Sequence, residues 1–122
     1  RSMVVGRPLS MLLLKRHDTI TICHTRTKDL EKVCREADIL IAAAGKPRMI
    51  TGDMAKENAV IVDVGINVDE EGRMCGDVDF ESLAEKAAFI TPVPGGVGGV
   101  TTSILAAHVL RGAKYLNGIS KE

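Results

Sequence analysis

Aromatic residues are scarce in this sequence: it has no tryptophan, and its two phenylalanines and one tyrosine make up 2% of the 122 residues. Surfaces that stack against single-stranded nucleic acid need several exposed aromatic rings, so the composition disfavours that function. The core must instead be built from aliphatic side chains. Such a core is typical of parallel strands that are buried on both faces.

A net charge is also lacking, since 16 basic residues balance 16 acidic ones. Neither a polyanion nor a membrane surface is therefore expected as a partner. No apolar run approaches the roughly 20 residues that span a bilayer, and the start does not resemble a signal peptide. Cys23, Cys34 and Cys75 cannot form a closed disulfide framework, and their spacing matches no metal site. We expect reduced thiols, no metal and a cytoplasmic location.

Short apolar segments alternate with helix-like segments along the chain. The patterns predict helices at residues 7–16, 29–35, 81–88 and 101–114, and strands at residues 19–23, 39–44, 60–64 and 89–91. Strands that alternate with helices form parallel sheets with right-handed crossovers. The predicted fold class is therefore α/β, with a doubly wound parallel sheet.

The order of these elements leaves one strand unaccounted for. In a doubly wound sheet the first helix follows a central strand, but this sequence opens with a loop and a helix. Without that strand, two neighbouring strands would have unpaired edges, which is unfavourable. We therefore expect residues 1–122 to form one domain that is a fragment of a longer protein.

Glycine and small polar residues follow the predicted strands, at the edge where ligands bind in such sheets. Sites for NAD usually place an acidic residue on the ribose hydroxyls, but here Thr25 and Arg26 follow the strand and no acid comes after it until Asp29. A cation and hydroxyls suit the additional phosphate of NADP, and a solvated turn is the alternative. Gly45 and Gly65 would let the backbone approach a ligand closely.

Two further features are open to more than one interpretation. Asp63 lies within an apolar run and must be hydrogen-bonded if it is buried, and a structural role explains it as well as a cofactor role does. Residues 92–99 are rich in proline and glycine and precede a helix, but no Gly-Lys-Ser/Thr follows. The segment is therefore not an ATP-type phosphate loop. It could offer a flat surface to a ring, or be a purely structural turn.

Six phrases in one order carry a family resemblance: RSMVVGRP from Arg1, CHTRT from Cys23, AGKP from Ala44, VDVGIN from Val62, GDV from Gly76 and TPVPGGVG from Thr91. Together they resemble the bifunctional methylenetetrahydrofolate dehydrogenase/methenyltetrahydrofolate cyclohydrolase family over essentially the whole chain. In that family they belong to the C-terminal, Rossmann-like NAD(P)-binding domain. The sequence departs from the family pattern in two places. The glycine expected before Arg1 is absent, and Gly99-Val100 stands where members commonly have Pro-Met.

The resemblance implies NADP as the cofactor and a folate substrate shared with an N-terminal domain that carries the catalytic lysine and tyrosine. It also implies a homodimer. The cofactor-binding positions would be Arg1, Ser2, Thr25, Arg26, Gly45, Gly65 and Ile66. The substrate-binding positions would be Pro92, Pro94, Gly95, Gly96 and Val97.

No catalytic residue is predicted within this chain, because its only tyrosine, Tyr115, lies near the end and offers no acid–base pair with a lysine. By resemblance, the intact enzyme would oxidise methylenetetrahydrofolate and hydrolyse the methenyl product to formyltetrahydrofolate. The chain alone is expected to bind NADP weakly, if at all, and to turn over nothing. The alternatives are the Rossmann domain of another NAD(P)-dependent dehydrogenase and a stand-alone nucleotide-binding module. The proline–glycine loop argues against the first, and the second requires a complete sheet.

Overall fold

The structure is a computed structural model that describes residues 3–119. In chain order its elements are helix α1 (Gly6–Lys15), helix α2 (Leu30–Arg35), strand β1 (Ile39–Ala42), a 3₁₀ helix (Gly52–Met54), strands β2 (Val60–Asp63), β3 (Asn67–Val68) and β4 (Met74–Cys75), helix α3 (Phe80–Leu83), strand β5 (Phe89–Ile90) and helix α4 (Val97–Leu116). None of the helices in this range is long and apolar enough to cross a bilayer.

The main sheet has three parallel strands in the order β1–β2–β5. Ile39 is opposite Val60, and Val60 is opposite Phe89, so all three strands run in register from the same edge. Each connection between neighbouring strands passes through helical segments. The prediction of an α/β fold with a parallel sheet is confirmed.

Aliphatic side chains fill the core, as the composition predicts. Ile61 on the central strand and Leu83 on α3 are completely buried, and Leu40 on β1 packs in the same cluster. The 3₁₀ helix contributes Met54. The strand residues of this core alternate along β1 and β2, so the core packs against one face of the sheet.

The predicted strand at residues 19–23 is wrong, because these residues belong to no sheet in the described part of the chain. Their alternating β-branched pattern favours an extended backbone, but a strand also needs a hydrogen-bonded neighbour. Strand β1 pairs only with β2 within residues 3–119. Propensity without a neighbour does not produce a strand.

Helix α4 begins at Val97, four residues before its predicted start at Thr101, and so includes Gly98 and Gly99. Glycine is a poor helix former, which favoured a loop in the sequence pattern. Hydroxyl groups in the next turn bond to this first turn: Thr102 donates to the carbonyl oxygen of Gly98 at 3.0 Å, and Ser103 to that of Gly99 at 2.9 Å. The third predicted helix, residues 81–88, is reduced to the short α3 followed by a turn.

Strands β3 and β4 form an antiparallel hairpin whose turn is organised by Asp69. One carboxylate oxygen of Asp69 accepts hydrogen bonds from the backbone amides of Arg73 (2.9 Å) and Glu71 (3.1 Å). The other lies 3.1 Å from the guanidinium of Arg48. The Arg73 amide lowers the pKa of the Asp69 carboxyl most, the Glu71 amide and the Arg73 guanidinium lower it further, and desolvation opposes the effect.

We expect this carboxylate to make the stability of the chain pH-dependent. A group whose folded pKa is depressed contributes stability above its unfolded pKa of about 4 and loses it as pH falls through the folded value. Asp69→Asn should therefore melt below the wild type at about pH 6, and the gap should close towards about pH 2. Thermal melts across this range would measure it. Glu70→Gln, in the same turn, is the control, and a gap for Asp69→Asn that is constant with pH would contradict the prediction.

Candidate dinucleotide-binding site

Because β1, β2 and β5 are parallel, the loops that follow them leave the sheet at the same edge. These loops are residues 43–46, residues 64–66 and residues 91–96. Two of them contain glycines predicted to approach a cofactor, and the third is the proline–glycine loop. Hydrogen bonds to two buried aspartates join all three.

The turn after β1 presents bare backbone to solvent. Gly45 has a φ of +67°, in the left-handed region that favours glycine, and an added Cβ would meet no atom within 4 Å. The backbone amides of Ala44, Gly45 and Lys46 all donate to the carboxylate of Asp77, at 2.5, 2.9 and 2.9 Å. The Asp77 carboxylate thus holds the amides of this turn, while the position of a Cβ on Gly45 remains open space.

The turn after β2 packs directly on the same carboxylate. Gly65 is buried, and a Cβ there would overlap the Asp77 side chain, so only glycine fits this close approach. The next residue, Ile66, is exposed. Asn67 follows and donates its side-chain amide to Asp77 at 2.8 Å. Gly45 and Gly65 therefore lie on either side of one buried carboxylate.

The proline–glycine loop is connected to β2 through Thr91. The Thr91 hydroxyl accepts a hydrogen bond from the backbone amide of Asp63 at 2.8 Å, and the Thr91 amide donates to the carbonyl oxygen of Ile61 at 3.1 Å. The peptide bond between Val93 and Pro94 is cis. Gly95 has a φ of +105°, and a Cβ at Gly96 would overlap the carbonyl oxygen of Pro92. Pro92, Pro94, Gly95 and Gly96 form a compact turn, whereas Val97 is the first residue of α4.

The turn at residues 24–27 is closed by its own side chains. The His24 amide donates to the Thr27 hydroxyl at 2.8 Å, and the Arg26 amide donates to Nδ1 of His24 at 3.1 Å. Thr25 and Arg26 are left exposed at the tip. Among the ion pairs found within residues 3–119, none involves Arg26. A free guanidinium beside a hydroxyl is a donor set that suits a phosphate.

The structure thus brings together some of the predicted site residues but not all of them. Gly45, Gly65 and the loop that starts at Pro92 share one hydrogen-bonded unit. No hydrogen bond found in residues 3–119 joins the turn of Thr25 and Arg26 to that unit. Arg1 and Ser2 lie outside the described residues. The binding roles of all these residues stay predictions.

A cavity beside α2 is a weaker candidate. It measures about 600 Å³ and is lined by Asp29, Leu30, Glu31, Lys32, Arg35, Met49 and Met54. Two acids line it, and its Arg35 already pairs with Glu31 and lies near Asp53. Its two acids offset its two bases, Lys32 and Arg35, so it offers a polyphosphate no net positive charge, and the edge at the strand ends is the better site.

Cys34 on α2 is not a candidate nucleophile. Burial raises the pKa of its thiol above the ordinary value, and the nearby Cys23 raises it further. A raised pKa keeps the thiol protonated and unreactive at neutral pH. Cys23, Cys34 and Cys75 are all free thiols. Within residues 3–119, no group of three His, Cys, Asp or Glu side chains could hold a metal ion.

Sequence reasoning missed Asp77, Asn67 and Thr91 as residues that shape the site. The phrase Gly76-Asp77-Val78 was noted only for its order in the chain, yet Asp77 is completely buried. An aspartate between Gly76 and the apolar Val78 was the available signal, although Asp79 close by made it look like part of a charged turn. Asp63 was recognised as requiring hydrogen bonds, and the structure supplies them from Gly65, Asp77 and Val78.

A parallel sheet with bare glycine turns at its carboxyl ends defines an α/β domain of the Rossmann-like, nucleotide-binding class. Residues 1–117 match the family described as "Tetrahydrofolate dehydrogenase/cyclohydrolase, NAD(P)-binding domain". The chain belongs to this family. Membership favours the folate family over a dehydrogenase of another kind.

Curated relatives agree with this assignment. The chain is 61% identical over 119 residues to "Bifunctional protein FolD" of Alkaliphilus oremlandii, which covers 98% of this chain and 42% of the relative. It is 59% identical over 117 residues to the protein of the same name from Clostridioides difficile, covering 96% and 41%. The chain thus spans about two fifths of the length of the relatives it matches.

Solved structures show the same fold. The bifunctional FolD enzyme of Campylobacter jejuni superimposes with a TM-score of 0.88 at 46% identity, over 94% of this chain and 41% of that one. The Trypanosoma brucei methylenetetrahydrofolate dehydrogenase-cyclohydrolase, solved with NADP and an inhibitor, gives a TM-score of 0.81 at 39% identity, over 90% and 40%. The Rossmann-like class is confirmed.

Proposed function

We propose that this chain is the NADP-binding part of an enzyme that oxidises methylenetetrahydrofolate to methenyltetrahydrofolate and hydrolyses the product to formyltetrahydrofolate. Family membership over residues 1–117 is the observation that carries the proposal. The bare turn at Gly45 and the exposed guanidinium of Arg26, which pairs with no acid within residues 3–119, support it from the structure. The relatives named for the two activities are more than twice as long as this chain.

Arg26 and the Thr25 hydroxyl would hold the ribose phosphate that distinguishes NADP from NAD. Both are exposed, and no acidic side chain lies in the turn to hold ribose hydroxyls instead. Arg1 and Ser2 would bind the phosphates at the start of α1, where helix amides favour anions. Gly45, Gly65 and Ile66 would bind the nicotinamide half through their backbone. When bound, NADP supplies the hydride acceptor.

The loop formed by Pro92, Pro94, Gly95 and Gly96, followed by Val97, would lie against the folate. Its prolines and tight glycines leave little side-chain bulk, which suits a flat pterin ring. This chain would therefore orient two ligands relative to each other, a contribution that accounts for much of the rate in reactions of this kind. The acid–base groups would come from an N-terminal catalytic domain of the intact enzyme.

The wider setting follows from the same proposal. The intact enzyme would be a cytoplasmic homodimer that acts on folates. Free thiols in the described residues are consistent with a reducing compartment. The chain by itself would catalyse neither reaction, because its only tyrosine, Tyr115, lies near the end of α4 and offers no acid–base pair with a lysine.

NMR titration of the ¹⁵N-labelled chain tests the proposal. We expect NADP to shift amides of residues 25–26, 45 and 65–66, with weaker shifts from NAD. Arg26→Ala should weaken NADP binding roughly tenfold, since a charge-assisted contact to phosphate is lost, and leave NAD binding unchanged. Arg111→Ala, which removes an exposed arginine on α4, is the matched control. Equal responses to NAD and NADP, or shifts confined to other surfaces, would contradict the proposal.

A further inference from the structure

Two carboxylates are buried at the strand ends without an ion-pair partner in the described residues. Asp77 is 0% exposed and Asp63 is 3% exposed. The proposed function gives neither a chemical role. Burying a carboxylate is costly unless its oxygens are hydrogen-bonded. The hydrogen-bond donors of Asp63 and Asp77 therefore indicate the structural role of each side chain.

Asp77 joins the two turns that are predicted to approach the cofactor. One oxygen accepts from the amides of Ala44 and Gly45, and the other accepts from the amide of Lys46 and the side chain of Asn67. The first three donors belong to the turn after β1, and the fourth lies just beyond the turn after β2. A single side chain therefore fixes the separation of these turns.

Asp63 extends the connection to the proline–glycine loop. Its carboxylate accepts from the amides of Gly65 (2.8 Å), Asp77 (3.0 Å) and Val78 (2.9 Å). Its own amide donates to the hydroxyl of Thr91, the residue before Pro92. A continuous path of hydrogen bonds thus runs from Gly45 through Asp77 and Asp63 to Thr91.

The charge of these side chains is essential to the arrangement. A carboxylate only accepts hydrogen bonds, and all the groups that face Asp63 and Asp77 through their carboxylates are N–H donors. An asparagine would direct its own N–H₂ at one or more of these donors. The backbone is shaped for the same purpose, since a Cβ at Gly65 would overlap Asp77 and one at Gly76 would overlap Asp63.

We propose that Asp63 and Asp77 are positioning residues that hold the cofactor-side turns and the proline–glycine loop in fixed register. The inference rests on the proposed function, because it assigns those loops to the two ligands. A misplacement of about 1 Å between reacting ligands lowers rates by roughly 100-fold, so a rigid link between their binding loops has functional value.

Mild variants at each end of this hydrogen-bond path test the inference. For each variant, the NMR signals of the loop at the opposite end are measured. Thr91→Val removes the hydroxyl that accepts from Asp63, and Asn67→Ala removes one donor to Asp77. In the ¹⁵N-labelled chain, we expect Thr91→Val to shift the amides of residues 44–46, and Asn67→Ala to shift those of residues 93 and 95–96. Asp77→Asn should speed amide hydrogen exchange at residues 44–46 at least roughly tenfold beyond any increase in β2.

Leu83→Ala is the matched control, because it destabilises a fully buried site on α3 away from the strand ends. It should speed amide hydrogen exchange throughout the core by a common factor. It should not shift the amides of residues 44–46, nor those of residues 93 and 95–96. Changes in Thr91→Val and Asn67→Ala that stay at the mutated end would overturn the inference, even if Asp77→Asn fails to fold. Coupling without any NADP response in the wild type would contradict the proposed function alone, and NADP binding without coupling would contradict this inference alone.

Discussion

Replacing Asp63 with alanine is expected to lower the free energy of unfolding by about 3 kcal/mol or more. The substitution removes the acceptor of three amides, those of Gly65, Asp77 and Val78, in a part of the structure that is closed to solvent. Each buried donor left without a partner costs about 1–3 kcal/mol. Domains are typically stable by only about 5–15 kcal/mol, so the variant should lie close to the threshold of folding. Urea denaturation followed by circular dichroism measures the change.

Asp38→Ala provides the matched comparison, since it makes the same aspartate-to-alanine change at a residue just before β1. The Asp38 side chain is 84% exposed and pairs with Lys56 at the surface. Exposed pairs contribute little, so its unfolding midpoint should stay near that of the wild type. If Asp63→Ala and Asp38→Ala lowered the free energy of unfolding by similar amounts, the buried hydrogen bonds of Asp63 would not stabilise the fold.

The sequence alone leads to Asp63 but not to its partners. An acid inside the apolar run of β2 must be hydrogen-bonded, and that conclusion needs no structure. The donors at Asp77 and Val78 are 14 and 15 residues away, and the intervening segment forms a hairpin. Nothing in the local pattern predicts that this hairpin returns the chain to the end of β2. Long-range pairing of this kind depends on the packed fold.

The errors in secondary structure have a related cause. Residues 19–23 have the composition of a strand, yet strand formation depends on a neighbour that lies far away in sequence or is not part of the described residues. Gly98 and Gly99 have the composition of a loop, yet they lie in the first turn of α4, where hydroxyls one turn later bond to their carbonyl oxygens. For residues 19–23 the missing partner lies outside the local window, whereas for Gly98 and Gly99 a weak helix propensity was overridden within a long helix. Strands β1 and β2 were predicted well because continuous apolar runs bounded by glycine depend little on context.

The candidate site was predictable to the extent that it follows from topology. Parallel strands place their carboxyl ends at one edge, so the sequence alone groups Gly45, Gly65 and the loop after β5. The turn at Thr25 and Arg26 could be recognised by its lack of an acid, but not placed. The predicted strand at residues 19–23 is not formed, so the sheet does not determine the position of the turn that follows it.

Gly76→Ala and Gly112→Ala make the same chemical change and should have opposite effects. A Cβ at Gly76 would overlap the Asp63 carboxylate, whereas one at Gly112 would meet nothing within 4 Å. Neither glycine has a φ in the left-handed region, so backbone strain plays no part in the comparison. Gly112 lies inside α4, where alanine is the better helix former by about 1 kcal/mol.

Gly76→Ala is therefore expected to lower the free energy of unfolding by about 3 kcal/mol or more, because the methyl group must displace Asp63 and break its hydrogen bonds. Gly112→Ala should raise it by about 0.5–1 kcal/mol. Urea denaturation of both variants beside the wild type gives the two signs directly. If Gly76→Ala were as stable as the wild type, the carboxylate of Asp63 could move away without cost, and the rigid connection between the strand ends would not exist.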